Sequence, residues 1–255
     1  MDNNELAYYD KIKNWDFSMI KYEEENLTNW DMYEILSECA NEDSTILDLG
    51  TGGGEKVLNK FPKVAKILGT DFSGEMIKTA NENLKQSGKT NIEFKVMNNL
   101  NMNTPDNYFD IVVARHTCIS AEQIFKTLKY NGKLILRGVD KLDCWQLKRL
   151  FNKGQAFNDI KPISQIDYEN IMDAGFKNVE LVPIYIREYY KTKEDLLALL
   201  LKTPILDDFS EERFNNGLVK KEIDLEKLDM YIKENTYEKG ILLRRMYYGI
   251  VAGKS

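Results

Sequence analysis

The chain has little of what a disulfide or metal scaffold requires. Its 255 residues include three cysteines, Cys39, Cys118 and Cys144, and one histidine, His116. An odd, widely spaced set of cysteines makes neither a disulfide framework nor a paired-cysteine zinc pattern. One imidazole leaves a zinc site short of nitrogen ligands, so no metal is expected. No apolar run approaches the ~20 residues that span a bilayer. The opening Met1-Asp2-Asn3-Asn4-Glu5 has neither the basic region nor the apolar stretch of a secretory leader. A reducing, cytoplasmic setting without membrane contact is expected. A basic surplus is also missing: 35 Lys and Arg stand against 41 Asp and Glu, for a formal net charge of −6. Proteins that grip phosphate backbones usually carry a basic stripe, because their affinity comes from displaced counterions. The pairs Lys220-Lys221 and Arg244-Arg245 read as a solvated helix face and a strand end, and nucleic acid is disfavoured as a partner. Hydrophobic residues make up 43% of the chain, enough for the core of one α/β domain of this length.

Apolar periodicity orders that domain. Helical stretches are expected around residues 6–12 and 31–40, then a buried strand at 45–49, bounded by the glycines at 50, 52, 53 and 54. A helix opens at Glu55, a strand runs over 65–70 and ends at Asp71, and a helix over 76–86 is stopped by Gly88. Strands follow at 92–96 and 109–114. A helix at 121–128 and a turn at Asn131-Gly132 lead into a strand at 133–137. A helix is expected at 166–174 and strands at 177–185 and 242–252, with an acidic helical insert before the last strand. Alternating strand and helix predicts a mostly parallel sheet, seven-stranded, with helices on both faces. One domain over 1–255 is expected: a helical cap at 1–43, a core at 44–190, an insert or lid at 191–240 and a final strand at 241–255.

The chemistry concentrates after the first core strand, at Asp48-Leu49-Gly50-Thr51-Gly52-Gly53-Gly54. Glycines there let the backbone bend sharply and let a ligand touch the main chain. The following helix points free N–H groups toward that ligand. A dinucleotide fingerprint wants Gly-x-Gly-x-x-Gly. Glu55 breaks that spacing, which argues against an oxidoreductase. Asp71 ends the next strand, where a carboxylate can accept both ribose hydroxyls of a nucleoside lying across the sheet edge. Its alternative role is to cap the helix that begins near Ser73.

In order and spacing, residues 46–55, Gly69-Thr70-Asp71-Phe72-Ser73, residues 108–116 and residues 128–134 resemble the successive motifs of class I S-adenosylmethionine-dependent methyltransferases. The resemblance covers roughly residues 45–140. A looser one, at Trp15–Ser18, Asn29–Asp31 and residues 196–209, extends to a bacterial subgroup of unknown substrate. It implies a Rossmann-like fold and S-adenosylmethionine as cofactor. It places Gly50, Thr51, Gly52 and Gly54 against the methionine moiety, with Asp48 behind them reaching its ammonium through water. Asp71 would hold the ribose, Phe72 the adenine, and the Arg115 carbonyl the ammonium. Asn98 stands where many relatives have an aspartate that accepts from the adenine amino group, and an amide oxygen can still accept. Asn99 is a backbone-contact candidate in the same turn.

His116 is the candidate general base, its ordinary pKa of about 6.5 suiting proton acceptance; the other reading is an orienting or structural imidazole. Methyl transfer from a sulfonium is an in-line displacement that alignment can largely accelerate, so a base is not obligatory. Tyr9, Trp15, His116 and Tyr189 are the candidate acceptor-pocket residues, and Cys118 reads as a small core residue. The expected activity is methylation of a small molecule. Methylation of RNA or protein, and cofactor binding without turnover, are the alternatives.

Overall fold

The computed structural model describes residues 19–207 and 223–255. They form a nine-stranded sheet in the order β1-β7-β9-β6-β5-β2-β3-β4, with the short β8 paired to β9. The strands are β1 (Tyr22–Asn26), β2 (Thr45–Leu49), β3 (Lys66–Asp71), β4 (Ile92–Val96), β5 (Phe109–Arg115), β6 (Leu128–Val139), β7 (Lys177–Tyr190), β8 (Thr236–Tyr237) and β9 (Gly240–Gly253). Neighbours β4-β3-β2-β5-β6 pair in parallel, and β9 runs antiparallel between β6 and β7. Six long strands therefore point one way.

The expected strand count of seven is corrected to nine. The additions are β1, which lies antiparallel on the outer edge of β7, and the two-residue β8. The sequence of β1, Tyr-Glu-Glu-Glu-Asn, carries no apolar alternation, in keeping with a strand that buries neither face. The strand expected at 177–185 runs five residues further, through Tyr190, because β1 pairs with that extension at Ile186–Tyr190.

Helices cover both faces. On one side α1 (Met32–Cys39), α2 (Glu55–Lys60) and α3 (Gly74–Ser87) lay Met32, Leu36, Val57, Ile77 and Ala80 on Ile46, Ile67, Val113 and Ile135 of the sheet. Asp31 caps α1 by accepting from the Tyr33 and Glu34 amides, satisfying donors that have no partner inside the helix. On the other side α4 (Ala121–Thr127) and α6 (Ile163–Asp173) lay Ile124 and Ile171 on Leu47, Val112, Leu134 and Ile250. Each fully buried aliphatic side chain contributes roughly 2 kcal/mol.

A third core joins the insert to the sheet. Leu147 and Phe151 of α5 (Trp145–Phe151), Leu196, Leu199 and Leu200 of α7 (Lys193–Lys202), and Leu228 and Tyr231 of α8 (Leu225–Asn235) pack on Tyr190, Ile241 and Leu243. Helix α5 was not expected. It begins at Cys144, a non-glycine residue held at φ 54°, so its start carries no ordinary capping signal. No helix among the described residues is long and apolar enough to cross a membrane.

Candidate active site

The chain leaves β2 toward β3 and β4 on one side and reaches β5 and β6 on the other. The carboxyl ends of β2 and β5 thus flank a point where strand order reverses, the place where open parallel sheets bind ligands. The bend 50–54 lies there. Gly50 and Thr51 donate their amides to the Thr70 carbonyl at 2.8 and 2.9 Å. Gly50 stands at φ 76°, and a β-carbon on it would approach Thr117 Cβ to 2.8 Å. Gly54 stands at φ 79°, where a β-carbon would come within 2.8 Å of Phe94 Cζ. Both glycines are thus fixed by backbone sign and by close packing.

Asp71 ties the two loops together. One carboxylate oxygen accepts from the Gly52 amide at 2.9 Å, the other from the Ser73 amide at 3.0 Å. The cap of α3 is Ser73, whose hydroxyl accepts from the Met76 amide at 3.2 Å. Asp71 therefore supports the bend and the turn before α3 instead of capping the helix itself.

Asp48 lies beneath the bend, 6% exposed. Burial pushes its carboxyl up to about 7, against the pull of the nearby Thr51 hydroxyl and Arg115. The Thr51 oxygen is itself buried without a hydrogen bond of ordinary geometry among the described residues. Phe72 is half-buried at the rim. Asn98 is exposed and uses its side-chain oxygen to accept from the Leu100 amide at 2.9 Å, closing a turn after β4. Asn99 is buried, accepts from the Thr70 hydroxyl at 3.4 Å and donates to the Thr117 hydroxyl at 3.0 Å. It therefore links the ends of β3, β4 and β5.

His116 follows β5 at φ 53°, its amide bonded to the Arg137 carbonyl at 2.8 Å. Its ring stacks on Tyr247, with centroids 5.2 Å apart. Surrounding protein lowers its pKa well below the ordinary value, and the positive fields of Arg115, Arg137, Arg245 and Lys56 add to the effect. The residue keeps a water-exposed side. That shift favours the neutral imidazole.

Not every expected residue joins this group. Tyr189 is buried, donates to Glu25 at 3.3 Å and lies under the Lys239 ammonium. It lines a cavity of about 380 Å³ with Arg187, Tyr237, Glu238, Lys239, Leu242 and Arg244. Its partners belong to β1 and the β8–β9 turn, not to the bend. Cys118 is exposed, which corrects its reading as a core residue: it sits on the loop after β5, not inside the strand. Arg245 is buried, which corrects the solvated strand end. It pairs with Asp143 at 2.9 Å and Glu188 at 3.1 Å. Tyr9 and Trp15 lie outside the described residues, as do Lys220-Lys221.

Sequence reasoning missed Tyr33, Lys56, Thr117, Arg137 and Tyr247, which surround the bend and His116. One signal was available: Arg115 and Arg137 each directly follow an apolar strand run, Ile111–Ala114 and Leu134–Leu136. Two cations closing adjacent strands mark one edge.

Comparison with known proteins bears on this arrangement. The methyltransferase-domain family profile matches residues 40–178, more than half of the chain. A ubiquinone/menaquinone biosynthesis C-methyltransferase of Rickettsia bellii is 25% identical over 73% of this chain and 77% of its own. A phosphoethanolamine N-methyltransferase of Plasmodium falciparum is 26% identical over 71% and 72%. Among solved structures, an S-adenosylmethionine-dependent methyltransferase from Aquifex aeolicus superposes over the full length of both chains with a TM-score of 0.54 at 15% identity, a likeness of fold. The chain belongs to the methyltransferase-domain family and is a class I enzyme that draws its methyl group from S-adenosylmethionine.

Proposed function

We propose that this enzyme transfers the methyl group to a small-molecule acceptor by in-line displacement, with the cofactor held between the bend 50–54 and Asp71. The observation that carries the reading is the junction of Gly52 with Asp71 at the switch point of the sheet. It presents a main-chain cradle and a carboxylate on one wall. The donor set fits the cofactor: a buried acid at Asp48, the buried Thr51 hydroxyl beside it, and a rim aromatic at Phe72.

When bound, the cofactor supplies an electrophilic methyl on a positively charged sulfur with a neutral leaving group. The protein supplies placement. Gly50, Thr51, Gly52 and Gly54 accommodate the methionine moiety, with Asp48 beneath it and the Arg115 carbonyl beside its ammonium. Asp71, at the end of β3, accepts from the ribose hydroxyls. Phe72 packs on the adenine, and Asn98 and Asn99 shape the turn at its edge. His116, neutral and at the open side, takes the acceptor's proton where the acceptor has one to lose. Small acceptors are favoured by the acidic balance of the chain and by the acceptors that the Rickettsia and Plasmodium relatives are named for.

Calorimetry with S-adenosylhomocysteine tests the cofactor site. Asp71→Ala is expected to weaken binding more than tenfold, because charge-assisted hydrogen bonds are lost; an unchanged affinity would remove the ribose assignment. Labelled methyl uptake into a metabolite fraction that passes a small-pore membrane tests the acceptor class. Uptake confined to the retained macromolecules would overturn it.

A further inference from the structure

We propose that Arg115 and Arg137 form a two-guanidinium clamp for an anionic group of the methyl acceptor, a phosphate or a carboxylate. The proposal rests on the small-molecule reading above and narrows it. Arg115 and Arg137 are register partners on the parallel strands β5 and β6. Side chains alternate along a strand, so both leave the sheet on the side of Val113 and Ile135, toward α1 and α2. Directly opposed residues on adjacent strands stand roughly 5 Å apart, and like charges so placed repel. Among the described residues neither guanidinium makes an ion pair or a side-chain hydrogen bond.

The neighbouring strand shows the contrast. Arg245 on β9 is neutralised by Asp143, through Nε at 2.9 Å and Nη2 at 3.1 Å, and by Glu188 through Nη1. Arg245 is thus given its own carboxylates, while among the described residues Arg115 and Arg137 are given none. The pair is also held ready. The Arg137 guanidinium lies 4.3 Å from the Tyr247 ring centroid, a cation–π contact that limits its rotamers. Tyr247 is anchored in turn by His116 on the same ring.

Mutual repulsion leaves its mark on the surroundings. Burial lowers Lys56, and Arg115, Lys60 and Arg137 lower it further. Arg137 is lowered by burial and by Arg115, while Tyr247 and Glu24 pull the other way. The nearby acids are Asp48, about half protonated near neutrality, and Glu24, which makes no contact with Arg137 within ion-pair distance. Among the described residues, an arriving anion therefore meets positive charge beside His116 that no ion pair neutralises. Arginine forks match carboxylate and phosphoryl oxygens two at a time.

The test uses the full chain saturated with S-adenosylhomocysteine and titrated calorimetrically with inorganic phosphate, then with acetate, at low and at 150 mM sodium chloride. One saturable site is expected for at least one anion. Tighter phosphate points to a phosphoryl acceptor, tighter acetate to a carboxylate. Arg137→Gln and Arg115→Gln should each weaken that anion at least tenfold, while Arg137→Gln leaves S-adenosylhomocysteine affinity within twofold. Arg115→Gln should melt no lower than the unaltered protein in the absence of anion, because repulsion is relieved. No saturable anion site, equal anion affinity in Arg137→Gln, or a lower melting temperature of Arg115→Gln would each overturn the clamp. Arg137-dependent capture of a single-stranded RNA in preference to both small anions would overturn it as a small-molecule site. Failure of S-adenosylhomocysteine to bind counts against the cofactor site alone, since the anion titration can be repeated without it.

Discussion

Replacing Asp48 with asparagine isolates the cost of a buried acid. Burial raises its carboxyl from 3.8 to about 7, and three pKa units correspond to about 4 kcal/mol. The folded pKa lies above the unfolded one, so between pH 4 and 7 the native state holds more protons than the unfolded chain. Stability contributed by this group is therefore intact below about pH 4. It declines as pH rises and is fully lost above about 7. Asparagine keeps the shape and cannot ionise. Urea unfolding should find Asp48→Asn close to the unaltered protein at pH 4, and more stable by an amount approaching ~4 kcal/mol at pH 8. A difference that does not change between those pH values would refute the buried acid. The same shift predicts a proton count. Cationic cofactor near Asp48 pulls its pKa down, so binding at pH 6 should release up to one proton. Titrations in MES and Bis-Tris would read this as a buffer-dependent heat that Asp48→Asn abolishes. A heat that is the same in both buffers would remove Asp48 from the cofactor's neighbourhood.

Two further substitutions probe the frame around the site. Gly54→Ala forces a β-carbon onto φ 79° and to 2.8 Å from the Phe94 ring. It should cost at least ~1–2 kcal/mol from backbone sign alone, read as a lower melting temperature, and an unchanged melt would mean the bend relaxes freely. Arg245→Met leaves Asp143 and Glu188 as buried charges without their cation and should cost ~3–5 kcal/mol in urea unfolding. A neutral result would mean that water reaches the pair.

The frame of the site was legible in the sequence because each part is a local pattern. A mostly apolar run marks β2 and an apolar–charged alternation marks β4 at the bounds observed, and Gly88 ends α3 in the left-handed conformation expected of it. Aspartate at the end of β3 follows the same logic: a polar residue closing an apolar run must face an edge. What was not legible depends on pairings between distant segments. Strand β1 exists because β7 offers it an edge, and nothing in three consecutive glutamates announces that. Arg245 reads as surface until Asp143 and Glu188, 102 and 57 residues away, fold against it. The open cations at Arg115 and Arg137 stand 22 positions apart and meet only through the parallel register of β5 and β6.

The acidic rim strand has a bearing on how molecules of this protein behave at high concentration. A bare sheet margin invites another chain to add itself, and natural proteins deter this with charge. Among the described residues no strand lies beyond β1, which carries Glu23, Glu24 and Glu25 in succession, with Glu23 and Glu25 tied inward to Lys191 and Arg187. A second molecule meeting that margin through a two-fold axis would set its own acidic strand, Glu24 above all, against this one. The protein should therefore stay dispersed along this border at low ionic strength and lose some of that protection as salt screens the repulsion.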